Sequence, residues 1–186
     1  MIVAGVDWSI SCPAMTIMDG DSAIAIYSVN QRVSKDGMPL KIGDLTLFPK
    51  AKFDNNQQRF DELTENFVIA ILRHKVEAVC IEDYAFAGNG RITDIAECVG
   101  VLKHKLYQLG ITVFPFSPSE IKKFATGKGN ADKNMMYDSF IKERPELDFT
   151  GPLNLSITTK IPSPIQDIVD AYWIAKYGTS KLQTVD

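Results

Sequence analysis

Residues 2–7 (Ile2-Val3-Ala4-Gly5-Val6-Asp7) alternate too little between apolar and polar for a strand with one wet face. They predict the buried centre of a sheet. Two apolar pieces at 13–18 and 22–27, joined by an Asp19-Gly20-Asp21 turn, read as an antiparallel hairpin. Between 30 and 56 the chain is punctuated by Gly37, Pro39, Gly43, Pro49 and Asn55-Asn56, and a strand is expected there around Leu45-Thr46-Leu47-Phe48. Phe60, Leu63, Phe67, Ile71 and Leu72 then recur at helical spacing over 58–74, and a second buried run over 76–82 ends in Glu82. Gly88-Asn89-Gly90 breaks the chain ahead of a helix over 93–109. A strand over 111–116 leads into Ser117-Pro118-Ser119-Glu120, a helix start with Ser117 as N-cap, Pro118 at the first position and an acid at the third. That helix ends near Gly127, and another covers 132–143. Residues 148–164, with Gly151, Pro152, Pro162 and Pro164, form an irregular insert, and a last helix covers 165–177.

Strand, hairpin, strand, then helix, strand, helix, strand and helices predict an α/β fold, a mixed sheet with helices on both faces. The connection from the first strand to the one ending at Glu82 is long enough for a right-handed crossover, so these two strands are expected to pair in parallel. The expectation is a five-stranded mixed sheet in the order 3-2-1-4-5, the order of the RNase H-like fold. At 186 residues, 1–186 is expected to be one domain, and no repeat or linker divides it. No apolar run reaches 18 residues, and no basic stretch precedes the first apolar one, so neither a membrane span nor a signal peptide is expected and a cytoplasmic location is. Cys12, Cys80 and Cys98 are widely spaced without a C-x-x-C pair and read as small core residues or idle thiols in a reducing compartment. His74 and His104 are isolated, each beside lysine, which argues against zinc.

The candidate chemistry lies where apolar runs stop. Ionised side chains are seldom buried unless paired or metal-bound, so Asp7 and Glu82, each capping an apolar strand, need an explanation. Asp167 and Asp170, three apart in the last helix, share one helical face. An isolated D-x-x-D reads as a solvated acidic face, but two like charges so close repel unless a cation lies between them. Oxygen ligands without histidine or cysteine favour Mg²⁺, with Mn²⁺ as substitute, over zinc. Two such ions, about 4 Å apart, stabilise both the attacking and the leaving oxygen of a phosphodiester displacement.

The formal charge of −3 conceals an uneven distribution. Between 103 and 133 six lysines (Lys103, Lys105, Lys122, Lys123, Lys128 and Lys133) face only Glu120 and Asp132, so this stretch carries about +4 and the remainder about −7. Lysines gathered on one face would bind phosphates through charge and counterion release; the alternative is an ordinary solvated surface. Gly127-Lys128-Gly129 lacks the flanking pattern of a Walker A loop. Tyr84 and Phe86 read equally as stacking platforms for bases and as core, while Trp8 and Trp173 read as packing residues.

Here the chain resembles RuvC-like Holliday-junction resolvases of the RNase H-like superfamily. The resemblance is carried by Gly5-Val6-Asp7-x-Ser9, Ile81-Glu82, Lys122, Gly127-Lys128-Gly129-Asn130-Ala131-Asp132-Lys133 and Asp167-x-x-Asp170-Ala171. It spans about 1–29 and 58–177. The acids are common to RNase H-like nucleases, and the Gly-Lys-Gly-x-Ala-Asp-Lys segment narrows the match. The resemblance implies a crossover junction endodeoxyribonuclease of DNA recombination and repair. Asp7 would bridge two Mg²⁺ ions, Glu82, Asp167 and Asp170 would complete the shell, and Lys133 would lie beside the scissile phosphate. It also implies a homodimer, in contact through the helix near 93–109, that nicks two opposed strands of a four-way junction symmetrically and leaves ligatable ends. Family members often carry a junction-probing aromatic three residues past the strand-end glutamate; that position is Ala85 here, flanked by Tyr84 and Phe86. The segments 30–56 and 148–164 are longer than the family pattern and suit a divergent, phage-encoded member working in a host cytoplasm. Three other readings compete: an RNase H-like nuclease for other branched or single-stranded nucleic acid, a phosphotransfer domain of the actin or sugar-kinase type, and a nuclease-dead DNA-binding module. Phosphotransfer needs two such domains and more length than 186 residues, and intact acids at all four positions count against the last.

Overall fold

A computed structural model describes residues 1–9, 11–30, 38–83, 92–158 and 160–183. In chain order the elements are β1 (Ile2–Asp7), β2 (Ala14–Asp19), β3 (Ser22–Asn30), β4 (Leu40–Ile42), β5 (Leu45–Pro49), α1 (Asn56–Arg73), β6 (Ala78–Glu82), α2 (Ile92–Gln108), β7 (Thr112–Phe116), α3 (Pro118–Thr126), α4 (Lys133–Glu143), a 3-10 turn at Pro145–Leu147, and α5 (Ile165–Leu182). The predicted start of α3 is present in full: Ser117 and Glu120 form a reciprocal capping box, Pro118 opens the helix, and Gly127 closes it with a left-handed φ of 79°. Asp132 caps α4 by accepting from the Met135 N–H. The last helix runs about a turn beyond its expected end because its apolar residues continue through Tyr177 and Gly178 into Thr179, all buried.

The described residues form one seven-stranded mixed sheet, in the order β4-β5-β3-β2-β1-β6-β7. This corrects the five-stranded expectation. The central run β3-β2-β1-β6-β7 has the expected order, and β4 and β5 lengthen the sheet beyond β3. The reason is local. Gly43 takes a left-handed φ of 55°, and Gly43-Asp44 closes a two-residue turn that pairs Ile42 with Leu45. Leu45 and Leu47 are fully buried, and β5 joins β3 in parallel. The three residues of β4 are too few and too exposed to register as an apolar run.

Helices cover both faces. On one, α1 and α2 pack on Ala4, Val6, Met15, Ile17, Val79 and Ile81. On the other, α3, α4 and α5 pack on Val3, Ala14, Ile26, Leu45, Leu47 and Cys80, joined by Phe149 and Ile161 from the irregular insert. The α5 layer approaches the sheet unusually closely. A Cβ on Gly5 would lie 2.0 Å from the Ala175 backbone nitrogen, and one on Gly178 would lie 2.2 Å from Cys80 Sγ. Both glycines are therefore set by close approach, one in β1 and one in α5. Among the described residues no helix is long and apolar enough to cross a membrane.

Candidate active site

Strand alternation decides where the acids point. In β1, Val3 joins the core under α5 while Ala4 and Val6 join the opposite core, so Gly5 and Asp7 belong to the α5 side. In β6, Cys80 faces α5 while Val79 and Ile81 face away, so Glu82 shares that side. The two strands pair in parallel with Val6 opposite Ile81, which brings Asp7 and Glu82 to neighbouring strand ends. From above, Asp167 sits in the first turn of α5, where the helix dipole favours an anion, and Asp170 follows one turn on. The four predicted carboxylates thus converge from three elements on one edge of the sheet.

Electrostatics records this convergence. Asp7 is held well above the usual carboxylate range, first by burial and then by repulsion from Asp170, Asp167 and Glu82, with Lys133 opposing. Burial pushes Asp170 up to about 7; Lys133 and Lys122 oppose the shift, while Glu82 and Asp167 add to it. Burial raises Glu82 although it keeps an exposed flank, against the pull of Lys122 and Lys133. Asp167 is only 7% exposed; burial raises its pKa, and hydrogen bonding to Ser163 is the chief opposing influence. Its Oδ2 is buried with no hydrogen-bond partner among the described residues. Among those residues no three His, Cys, Asp or Glu side chains are gathered tightly enough to hold a metal ion as they stand, and mutual repulsion opposes closer approach. An all-oxygen donor set, one orphaned carboxylate oxygen and unneutralised repulsion among acids fit a hard divalent cation.

The raised pKa values have a consequence for stability. Asp170 in the folded chain binds its proton more tightly than in the unfolded chain, so ionising it opposes folding. Stability is lost as pH rises from the ordinary carboxylate range through about 7 and is regained on acidification. With a chelator present, melting temperature should rise as pH falls from 8 to 5. Asp170→Asn should flatten that slope, by a contribution on the order of a few kcal/mol. Thermal melts of both proteins across that range check it; equal slopes would contradict the account.

The basic stretch divides. Lys122 and Lys133, on α3 and at the start of α4, lie within electrostatic reach of Glu82 and Asp170. Lys123 and Lys128 are exposed on α3 and in the α3–α4 connection. Gly129 packs close to the Ser119 carbonyl, where a Cβ would sit 3.2 Å away. Lys103 and Lys105 belong to α2, in the opposite helical layer. Lys105 is held by Asp61 at 3.0 Å and by Glu65, tying α2 to α1, while Lys103 lines a cleft with Tyr107, Gly110 and Val113. The six lysines therefore form no single strip. Tyr84 and Phe86 lie outside the described residues. Trp8 and Trp173 are packing residues, 8% and 3% exposed. Sequence reasoning missed Ser163, whose only signal was a hydroxyl just ahead of an acidic first turn. It also missed Lys50, whose charge reaches the Cys12 thiol that Asp167 also influences.

Comparison with known proteins agrees with this arrangement. The family model described as crossover junction endodeoxyribonuclease RuvC matches residues 17–145, more than half of the chain. That match contains Glu82, Lys122 and Lys133 and stops short of Asp7, Asp167 and Asp170. The RuvC protein of Campylobacter concisus is 32% identical over 116 residues, covering 59% of this chain and 74% of that protein. Among solved structures, Thermus thermophilus RuvC superposes with a TM-score of 0.63 at 17% identity, over 99% of this chain and 97% of that one. The same protein in complex with Holliday junction substrate gives 0.59 at 18% identity, over 96% and 97%. These likenesses show the fold, and the sequence match shows the kinship: this chain belongs to the RuvC family of crossover junction endodeoxyribonucleases.

Proposed function

We propose that this chain is an endodeoxyribonuclease that resolves four-way DNA junctions, with Asp7, Glu82, Asp167 and Asp170 as the ligands of two divalent cations, Mg²⁺ above all. The observation that carries the reading is the convergence of four carboxylates, from two strand ends and one helical turn, where Asp7 is raised by the charge of the other three and Asp170 by that of Glu82 and Asp167. Bound there, the cations would activate a water molecule against the phosphorus and stabilise the leaving oxygen.

The chain's own residues divide the remaining work. Asp7, reached by the fields of the other three acids, is suited to lie between two cations. Ser163 holds Asp167 in orientation and leaves its second oxygen for a ligand. Lys133 and Lys122, facing the acids from α4 and α3, balance the charge of the scissile phosphate and its neighbours. Lys123 and Lys128 extend that bank along the phosphate backbone. A second copy, docked through α2 with its exposed Tyr107, would present the same site to the opposed strand. On this reading 1–186 works as one nuclease domain.

The test is a synthetic four-way junction set beside linear duplex and a flap, each with Mg²⁺. Paired nicks at the junction, and little cutting of the duplex, are expected. Equal cutting of all three substrates would sink the junction assignment while leaving a metal-dependent nuclease. Mg²⁺ should also raise the melting temperature, since it binds the folded site alone, by about 2.7 kcal/mol of stability at a hundred times its Kd; a chelator should reverse this.

A further inference from the structure

The added strands β4 and β5 lie outside the span that carried the sequence resemblance, and they end at a telling place. β1 and β3 run the same way, each antiparallel to β2, and β5, β6 and β7 run parallel with them. The C-terminal end of β5 therefore opens on the same edge as Asp7 and Glu82. Beyond it, where β5 leads into α1, lies a cleft of about 610 Å³ lined by Lys50, Lys52, Phe53, Asn55, Asn56 and Arg59 among others. We propose that Lys50, Lys52 and Arg59 form a second phosphate-binding patch, which holds the backbone of one duplex arm of the DNA against the catalytic edge. This rests on the nuclease reading above.

The three cations carry unneutralised charge. Among the described residues none of them enters an ion pair, whereas Lys105 and Lys176 are paired with acids. Among the described residues Asp54 is the single carboxylate lining the cleft. The Arg59 guanidinium lies over the Phe53 ring, 5.6 Å from its centre. Its Nε is buried and finds no hydrogen-bond partner among the described residues. The planar guanidinium is matched to phosphate oxygens through its terminal nitrogens rather than the buried Nε, and the Asn55 and Asn56 side chains at the rim are exposed.

Distance separates this patch from the metal site. Neighbouring strands are about 4.8 Å apart, so three strand steps place the end of β5 about 14 Å from Asp7. Duplex DNA carries one negative charge for roughly each 1.7 Å of axis, so a phosphate held there is several nucleotides from the cut, within an arm. Lys122, Lys123, Lys128 and Lys133 follow β7, on the other side of β1. The carboxylates thus lie between two basic banks, one from α3–α4 and one from β5–α1. Lys50 joins them electrostatically, since the Cys12 thiol feels both Lys50 and Asp167.

The experiment compares salt dependence. Binding of the full chain to a synthetic four-way junction is measured with a chelator present, at a series of salt concentrations. The unaltered protein is set beside Lys50→Ala/Lys52→Ala and a control pair, Lys41→Ala/Lys142→Ala, which removes the same charge from exposed positions on β4 and on the last turn of α4. The patch variant should flatten the slope of log affinity against log salt by about 2. Its melting temperature and far-UV circular dichroism should match those of the unaltered chain, which shows that it folds. A slope unchanged from the unaltered protein, or flattened equally in the control pair, would overturn the patch. Failure of the nuclease reading shows separately, as an unaltered chain that binds DNA but does not cut it with Mg²⁺.

Discussion

Asp7→Asn should lower single-turnover cleavage of a four-way junction at least a thousandfold, on the order of 4 kcal/mol of barrier, while junction affinity stays within a few-fold. The reasoning is electrostatic. Asparagine keeps the shape of the side chain and one oxygen, but removes the charge that would lie between two cations. It leaves untouched the lysines of α3 and α4, which on the proposed reading would supply affinity through phosphates. Without a divalent cation the same substitution removes a carboxylate repelled by Asp170, Asp167 and Glu82. The variant should therefore melt no lower than the parent in chelator, which separates lost chemistry from lost folding. Cleavage by the variant at the parental rate would remove Asp7 from the site.

The second large effect falls on stability. Gly5→Ala would place a methyl group 2.0 Å from the Ala175 nitrogen and 2.6 Å from the Ala171 carbonyl oxygen. Both obstacles are backbone of α5, so no side-chain rotation relieves them. Either α5 lifts from β1, or β1 shifts within a sheet paired on both sides. Overpacking against backbone should cost about 3 kcal/mol or more, a fall of roughly 10 °C in melting temperature for a chain of this length. Cleavage by the residual folded fraction should fall further than its population, because lifting α5 draws Asp167 and Asp170 away from Asp7. Thermal unfolding followed by helical signal checks the first part, and rates normalised to folded protein check the second. A Gly5→Ala protein as stable as the parent would contradict the close packing.

The central strands were legible because the physics that places them is local. β1 and β6 are unbroken apolar runs, each ended by an acid that apolar packing does not explain. The start of α3 was legible to the residue, since a capping serine, a proline and a third-position glutamate leave little choice. Asp167 and Asp170 could be paired from their spacing alone. What escaped was tertiary. Leu40-Lys41-Ile42 is too short to signal a strand, although the Gly43-Asp44 pair that reverses the chain was in view. The layering of the lysines also escaped: charge counted along the chain joins Lys103 and Lys105 to Lys133, while the fold puts a whole sheet between them. Nor did composition foretell that Lys105 would be consumed by Asp61 and Glu65.

The two glycine contacts act on different strands. Gly5 lets α5 settle on β1, and Gly178 lets the same helix settle on β6 beside Cys80. The strands so gripped are the two that end in Asp7 and Glu82, and the helix is the one that carries the other two acids. The spacing of the four carboxylates is therefore set by the close seating of α5 on β1 and β6 rather than by a connecting loop. Loops at that edge can lengthen, or recruit new strands, without altering the spacing of these acids. A scaffold with this property suits the exchange of DNA-reading segments, in nature or by engineering, around a fixed blade.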